Sequence, residues 1–350
     1  MIQKLNIEDF LQQSAGHPVI DVRSPAEFLH AHIPGAISLP LFSDDERAIV
    51  GTLYKQQGRE AAMMKALEWY GINMQRIISD LAKITNDKQL FVHCWRGGMR
   101  SGVVAWMLDL FGYKVSTLNK GYKAYRSKVL ESFSESRKLV ILGGKTGSAK
   151  TAIIQELIRD SSQVIDLEQL ACHKGSAFGA LGEPPPPSQE QFENDLFMKF
   201  RQTNAALPLL LEDESQRIGP VNIPNALWAQ MRNAPVLYLE IPFEERLQHL
   251  LKTYGSYNAG DLAASTLRIR KRLGGLQTTN TIELLENGDY NSAFSILLHY
   301  YDKTYARATE QRNADLIYRI ESTTTDPEIN ASLVLKAMNN IFSTAQNTHN

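Results

Sequence analysis

Gln89-Leu90-Phe91-Val92-His93-Cys94-Trp95-Arg96-Gly97-Gly98-Met99-Arg100-Ser101 is the stretch on which the fold turns. Residues 89–93 form an apolar run of strand length. It passes directly into a cysteine, two glycines and two arginines. Helical apolar spacing then takes over from about Ser101 to Leu110. A strand that hands a glycine-rich loop to a helix N-terminus turns several backbone N–H groups inward and makes an anion nest. The same field favours thiolate over thiol, so Cys94 is expected to have a lowered pKa and to act as a nucleophile. Arg96, Gly97, Gly98 and Arg100 would hold the anion, the arginines through charge-assisted hydrogen bonds.

The flanking segments repeat the strand-then-helix pattern. Residues 18–22 are an apolar strand that ends in a charged turn. Ser24-Pro25-Ala26-Glu27 reads as a helix start, with Ser24 as cap, proline at the first helical position and Glu27 three residues past the cap. Residues 114–118 are a third strand. Strands alternating with helices predict an α/β fold with a parallel sheet.

At 350 residues the chain has room for two domains of about 100–200 residues each. Polar, Ser/Glu-rich residues 129–137 suit a linker, which predicts domains at 1–130 and 131–350. A new apolar strand, 138–142, opens the second part. It leads into Gly144-Lys145-Thr146-Gly147-Ser148-Ala149-Lys150-Thr151. This segment resembles a P-loop, G-x-x-x-x-G-K-[ST], with Ala149 in place of the last glycine. If that position needs a positive φ, alanine costs about 1–2 kcal/mol. The remaining residues, Gly144, Lys145, Thr146, Gly147, Ser148, Lys150 and Thr151, can still cradle a diphosphate. Residues 163–167, 207–211 and 235–241 are further strands. Ser188 starts a helix that reaches about Ala206, and the region from about 243 to Phe342 reads as helical.

Glu212-Asp213-Glu214-Ser215 ends the 207–211 strand and would lie beside the phosphate loop, as a Walker B segment does. Residues 173–179, with Lys174, suit a loop over a ligand. Arg268, Arg270, Lys271 and Arg272 place four cations within five residues, which could contact phosphates. Trp228, Tyr254, Tyr257, Tyr300 and Tyr301 could stack on bases, though such rings more often belong to the core. Cys172 reads as a core or loop cysteine.

Composition narrows the class. Hydrophobic residues make up 43% and charged residues 21%, ordinary values for a globular chain and not for a disordered or collagenous one. Two cysteines cannot build a disulfide framework. No apolar run approaches a membrane span and the first residues lack a signal-peptide core, so a cytoplasmic protein with reduced cysteines is expected. The net charge of −1 divides into +4 over residues 1–130 and −5 over 131–350. Nucleic-acid binding would therefore use local basic patches.

Residues 1–130 resemble a rhodanese domain. The likeness rests on Asp21-Val22-Arg23-Ser24-Pro25-Ala26-Glu27-Phe28, on Ala31-His32-Ile33-Pro34-Gly35-Ala36-Ile37 and on the Cys94 loop. Five residues lie between Cys94 and Arg100. That is one more than in many single-domain rhodaneses, and the spacing also fits the His-Cys-x5-Arg-Ser pattern of cysteine phosphatases. The loop alone does not choose between sulfur-carrying and phosphatase chemistry. A phosphatase needs a carboxylic general acid, for which Asp44 and Asp45 are the candidates.

A rhodanese-like domain followed by a P-loop domain, in this order and length, resembles the bacterial tRNA 2-selenouridine synthase family. The likeness extends through residues 173–179 and Glu212–Gly219, where Arg217 completes the acidic signature. The resemblance implies a transferase that acts on wobble 2-thiouridine of tRNA. It implies geranylation of the sulfur from geranyl diphosphate, then replacement of S-geranyl by selenium from selenophosphate. Cys94 would carry selenium as a Cys–Se adduct, and residues 144–151 would bind the diphosphate in place of a nucleoside triphosphate. No tightly bound cofactor or protein-bound metal is implied, and a Mg ion would be compatible. Neither the oligomeric state nor the geranyl pocket can be read from these motifs. The alternative is a cysteine phosphatase or sulfurtransferase fused to an ATP-binding domain. A further alternative is a non-enzymatic persulfide carrier or phosphate-sensing adaptor.

Overall fold

The computed structural model describes residues 2–160, 163–310 and 312–347. The chain divides into two compact units. One comprises the residues up to Phe133 with Glu193–Met198, the other Ser134–Phe192 with the residues from Lys199 onward.

The first unit runs β1 (Gln3–Leu5), α1 (Ile7–Gln13), β2 (Val19–Asp21), α2 (Pro25–His30), β3 (Ile37–Ser38), α3 (Asp44–Gln56), α4 (Arg59–Ile84), β4 (Gln89–His93), α5 (Met99–Leu110), β5 (Lys114–Leu118) and α6 (Gly121–Ser132). Its sheet has the order β1-β5-β4-β2-β3 and every pair is parallel. Helices cover a parallel sheet, so its strands read as continuous apolar runs. Ile20, Leu90, Val92 and Val115 pack with Val104 and Leu108 of α5 and with Met74, Ile77 and Leu81 of α4. From β4 the chain crosses to β5 on one side, whereas β2 and β3 lie on the other. The carboxyl end of β4 is thus a topological switch point, where open α/β sheets present their ligand crevice.

Helix α3 carries the two acids considered for the phosphatase alternative. Ser43 caps it, accepting from the Glu46 N–H at 3.2 Å, while the Glu46 carboxylate accepts from the Ser43 N–H at 2.8 Å. Asp44 and Asp45 occupy its exposed first turn, where negative charge suits the helix dipole. Hydrogen bonds from Ser24 and from the Ala26 N–H hold the Asp44 carboxyl below its ordinary range. A general acid at neutral pH needs the opposite shift.

The second unit runs β6 (Leu139–Gly144), α7 (Lys150–Asp160), β7 (Val164–Ile165), α8 (Leu167–Ala171), the two ends of α9 (Gln189–Gln202, whose middle, Glu193–Met198, counts with the first unit), β8 (Leu209–Glu212), β9 (Arg217–Ile218), β10 (Val221–Asn222), α10 (Asn225–Arg232) and β11 (Val236–Glu240). Then follow α11 (Phe243–Tyr254), α12 (Ala259–Arg268), α13 (Arg270–Leu273), α14 (Gly275–Glu286), α15 (Tyr290–Glu310), β12 (Ile317–Glu321) and α16 (Pro327–Asn347). The main sheet, β12-β11-β6-β8-β7, is parallel throughout. Strands β9 and β10 form a separate antiparallel pair. Val140, Leu142, Leu210, Leu237 and Leu239 pack with Ile153, Ile154 and Leu157 of α7. A second cluster joins Phe178 to Leu247 and Leu250 of α11, Leu262 of α12 and Phe294, Leu297 and Leu298 of α15.

Three expectations change here. The region read as helical to Phe342 contains β12, paired in parallel from Val236↔Ile317 to Glu240↔Glu321. Ile317 and Ile320 lie three residues apart, which imitates helical spacing on a half-exposed edge strand. The strand expected over 163–167 is shorter, because Asp166 leaves it to cap α8 and accepts from the Gln169 N–H at 2.7 Å. Helix α9 ends at Gln202 and does not reach Ala206.

Candidate functional site

Cys94 stands at the end of β4 and is 3% exposed. Its Sγ lies 3.2 Å from the Ser101 hydroxyl in the first turns of α5. Helix α5 begins at Met99, with Gly98 as its cap, so the loop is shorter than the Ser101 start expected from apolar spacing. Two glycines hold the loop. Gly97 has φ 59°, and a Cβ there would meet the Leu118 carbonyl at 2.2 Å. Gly121 has φ 58°, and a Cβ there would meet the Cys94 carbonyl at 2.2 Å. The loop can close only because both positions lack a side chain. The N–H groups of Tyr122 and Lys123 donate to the Cys94 and Trp95 carbonyls at 2.8 and 3.0 Å. Lys120, at φ 59°, makes the turn that aims them. Sequence reasoning missed this second support, although Asn119-Lys120-Gly121 has the residue types of a left-handed turn.

Arg96 is exposed beside Cys94. Arg100 instead donates to the Glu27 carboxylate at 2.7 Å. Burial opposes the Glu27 charge, but the hydrogen bond and charge of Arg100 bring its carboxyl below the ordinary value. Arg100 therefore enters any anion site with part of its charge already matched.

Behind the loop lies a buried ionic group. The Arg23 Nε and Nη2 donate to Asp21 at 2.6–3.0 Å, and Nη2 also reaches the Ala31 carbonyl at 2.7 Å. The guanidinium lies 3.9 Å from the centre of the Tyr122 ring. His93 Nε2 is 3.8 Å from Asp21, with both side chains fully buried. Burial pushes the His93 pKa down. Burial also works against the Asp21 carboxylate, but His93 and Arg23 more than offset it. These residues anchor the ends of β2 and β4, and so the base of the thiol loop.

The second loop joins β6 to α7. Ala149 has φ 57°, so the position does demand the left-handed conformation. Gly147 has φ 82°, and a Cβ there would strike the Arg246 carbonyl at 2.8 Å. Arg246 is buried and holds the loop from outside. Its Nη1 donates to the Thr146 carbonyl at 3.0 Å, and both Nη atoms pair with Asp302 at 2.8 Å. The Lys150 ammonium donates to the Gly144 carbonyl at 2.8 Å. The Thr151 hydroxyl donates to Glu168 at 2.9 Å.

A cavity of about 440 Å³ opens beside this loop, lined by residues 146–152. Lys174, Gly175, Ser176 and Phe178 of the 173–179 segment also line it. The His173 ring lies behind it, close against Gly179 and Gly219. Leu250, Tyr254, Phe294, Leu297 and Tyr301, members of one apolar cluster, also line it, as does Tyr305, whose ring centre lies 5.4 Å from the Lys150 ammonium. Their contribution was not legible in the motifs.

The acidic signature divides between tasks. Glu212 accepts from the Glu168 N–H at 2.6 Å, and burial with the charges of Asp166 and Glu168 raises its carboxyl well above the ordinary value. Glu214 lines the cavity and is raised likewise, by burial and then by Glu168. Asp213 instead pairs with Arg312. The Ser215 hydroxyl donates to the Arg217 carbonyl at 2.6 Å, and Arg217 Nε donates to the Gly219 carbonyl at 2.9 Å. Among the described residues no group of three or more His, Cys, Asp or Glu side chains has metal-holding geometry.

Arg268, Arg270, Lys271 and Arg272 lie across the break between α12 and α13, and all four are exposed. Lys174 is paired with Glu183 at 2.9 Å. Among the aromatic residues, Tyr254 and Tyr301 line the cavity. The Tyr257 hydroxyl donates to the Leu181 carbonyl at 3.2 Å, Tyr300 packs against Tyr301, and Trp228 lies near Arg232. No helix among the described residues is long and apolar enough to cross a membrane.

The family models agree with both units. A Rhodanese-like domain matches residues 6–128, and a tRNA 2-selenouridine synthase AAA domain matches residues 137–331, over half of the chain. The chain belongs to the tRNA 2-selenouridine synthase family. A family member from Cupriavidus pinatubonensis is 34% identical over 87% of this chain and 92% of that protein. One from Hahella chejuensis is 34% identical over 89% and 91%. One from Nitrosomonas europaea is 38% identical over 69% of this chain, a stretch spanning 64% of that protein. The family resemblance drawn from the motifs therefore stands, as does the α/β reading of both parts.

Proposed function

We propose that this chain converts wobble 2-thiouridine of tRNA to 2-selenouridine through an S-geranyl intermediate. The observation that carries the reading is the pair of anion loops of unlike chemistry, one with a buried thiol and one without. In the first step the uridine sulfur attacks the allylic carbon of geranyl diphosphate. The C–S bond forms, the C–O bond breaks, diphosphate leaves, and the N3 proton passes to solvent. The amides of Gly144–Thr151, with Lys145 and Lys150, hold the departing diphosphate. Alkylation makes the sulfur a better leaving group. In the second step selenium drawn from selenophosphate at the Cys94 loop bonds to C2, geranylthiolate leaves, and the phosphoryl group ends on water as phosphate. Arg96, Arg100 and the loop amides bind the selenophosphate anion. Where Mg accompanies the diphosphate, oxygens of Thr151 and Glu168 are its candidate ligands. Arg268, Arg270, Lys271 and Arg272 supply phosphate contacts to tRNA, with Lys174 of the cavity lining as a further candidate. A cytoplasmic site of action follows from the tRNA substrate and a thiol that must stay reduced.

Nucleoside mass spectrometry on thiolated tRNA tests the division of labour. With geranyl diphosphate and selenophosphate, Cys94→Ser should accumulate S-geranyl-thiouridine and form no selenouridine. Lys150→Ala should leave 2-thiouridine largely unchanged. Equal loss of both steps in Cys94→Ser, with tRNA affinity intact, would overturn it. Aryl-phosphate hydrolysis or ATP turnover in place of tRNA modification would favour the phosphatase–ATPase alternative.

A further inference from the structure

We infer that the apolar lobe of the cavity holds the hydrocarbon tail of a prenyl diphosphate, and that Phe294 and Leu297 determine which tail lengths fit. The inference rests on the proposed role of the phosphate loop and adds the site and its selectivity. The cavity lining falls into two chemically different groups. One is backbone amides, Lys150 and Thr151. The other is Phe178, Leu250, Tyr254, Phe294, Leu297 and Tyr301. Such a space fits a molecule with an anionic head and an apolar tail.

The polar atoms within the apolar group favour a hydrocarbon over a nucleoside there, although Gln155, Lys174, Glu214 and His249 line other parts of the cavity. The Tyr301 hydroxyl accepts from the Ala177 N–H at 3.3 Å. The Tyr254 hydroxyl is hydrogen-bonded to Ser176. The Ser176 hydroxyl also accepts from the Phe178 N–H at 3.2 Å. The Thr253 hydroxyl donates to the His249 carbonyl at 2.8 Å. These groups are engaged with the protein itself, so a base and sugar would enter with few partners for their own donors and acceptors. A hydrocarbon asks for none. It would gain instead from aromatic faces already fixed against one another, Phe178 to Tyr254 at 6.0 Å and Tyr254 to Phe294 at 6.4 Å between ring centres.

Phe294 and Leu297 lie three residues apart on α15, each 3% exposed, and both line the cavity. They share one helix face. Their side chains therefore set the room left for the tail, while the loop that grips the head belongs to a different element.

Calorimetric titration of the full chain tests this with inorganic diphosphate, geranyl diphosphate, farnesyl diphosphate and ATP as the probes. The wild type should bind geranyl diphosphate about a hundredfold or more tighter than inorganic diphosphate, because the tail leaves water. Leu297→Trp should weaken geranyl diphosphate at least tenfold and leave inorganic diphosphate within twofold. Phe294→Ala should strengthen farnesyl relative to geranyl diphosphate. Retained inorganic-diphosphate binding certifies the fold of each variant. Equal affinity for geranyl and inorganic diphosphate would overturn the inference, as would tail-independent effects of both variants or ATP binding as tightly as geranyl diphosphate. A failure of the phosphate-loop reading looks different: inorganic diphosphate would not bind, or its binding would survive Lys150→Ala.

Discussion

Ala149 carries a cost that the phosphate loop imposes on a side chain. At φ 57° it sits where an L-residue loses about 1–2 kcal/mol. Glycine would relieve that strain but adds about 0.5–1 kcal/mol of unfolded-state entropy. The difference still favours the folded state. Ala149→Gly should raise stability by about 0.5–1 kcal/mol in urea unfolding and leave diphosphate affinity unchanged. A destabilised variant would mean that the methyl, buried at 6% exposure, packs better than it strains. Gly121 is the opposite case, because a Cβ 2.2 Å from the Cys94 carbonyl has nowhere to go. Gly121→Ala should cost at least about 2 kcal/mol, from strain and clash together. It should abolish selenation while S-geranylation persists, as read by nucleoside mass spectrometry. Retained selenation would show that the thiol loop does not need this support.

At the scale of elements, strands β2 and β4 end on Asp21, Arg23 and His93, which fixes a pH response. The folded His93 pKa lies below its ordinary 6.5, because burial disfavours the charged ring. Below that pH the unfolded chain binds a proton that the folded chain does not. The stabilisation is complete above pH 6.5 and is lost as pH falls from 6.5 towards the folded value, by up to about 1.4 kcal/mol per unit. His173 and His249 are lowered by burial too and share the sign. Unfolding of His93→Gln beside wild type at about pH 7.5 and about pH 5.5, either side of the ordinary value, separates them: the variant should lose less stability on acidification. An identical loss would assign the whole response to the other two histidines.

For the whole molecule, net charge near zero means that tRNA affinity must come from a patch. Replacing Arg268, Arg270, Lys271 and Arg272 together by Gln should weaken tRNA binding. It should also lower the slope of log affinity against log salt, by about 0.7–0.9 for each phosphate no longer neutralised. Filter-binding titrations across salt concentrations measure both. An unchanged slope would mean that these cations face solvent only.

Both loops were legible in the sequence because each is local. An apolar run, glycines and a helix start lie side by side in 89–101 and again in 138–151, and neighbouring residues suffice to dictate a strand, an inward-turned loop and a helix. What surrounds the loops was not legible, because it arrives from distant positions. Arg246 reaches the Thr146 carbonyl across 100 residues, and Tyr301 meets the Ala177 N–H across 124. Glu27 claims Arg100 across 73. No periodicity encodes such meetings, and the same apolar spacing in α11 and α15 serves a packed core and a cavity wall equally. The sequence by itself therefore determined two strand–loop–helix turns, with the thiol of one and the lysine of the other. Only the tertiary structure decided where the apolar lobe lies, which acids face it and which cations stay in solvent, since packing brings those side chains together after local backbone preferences have been spent.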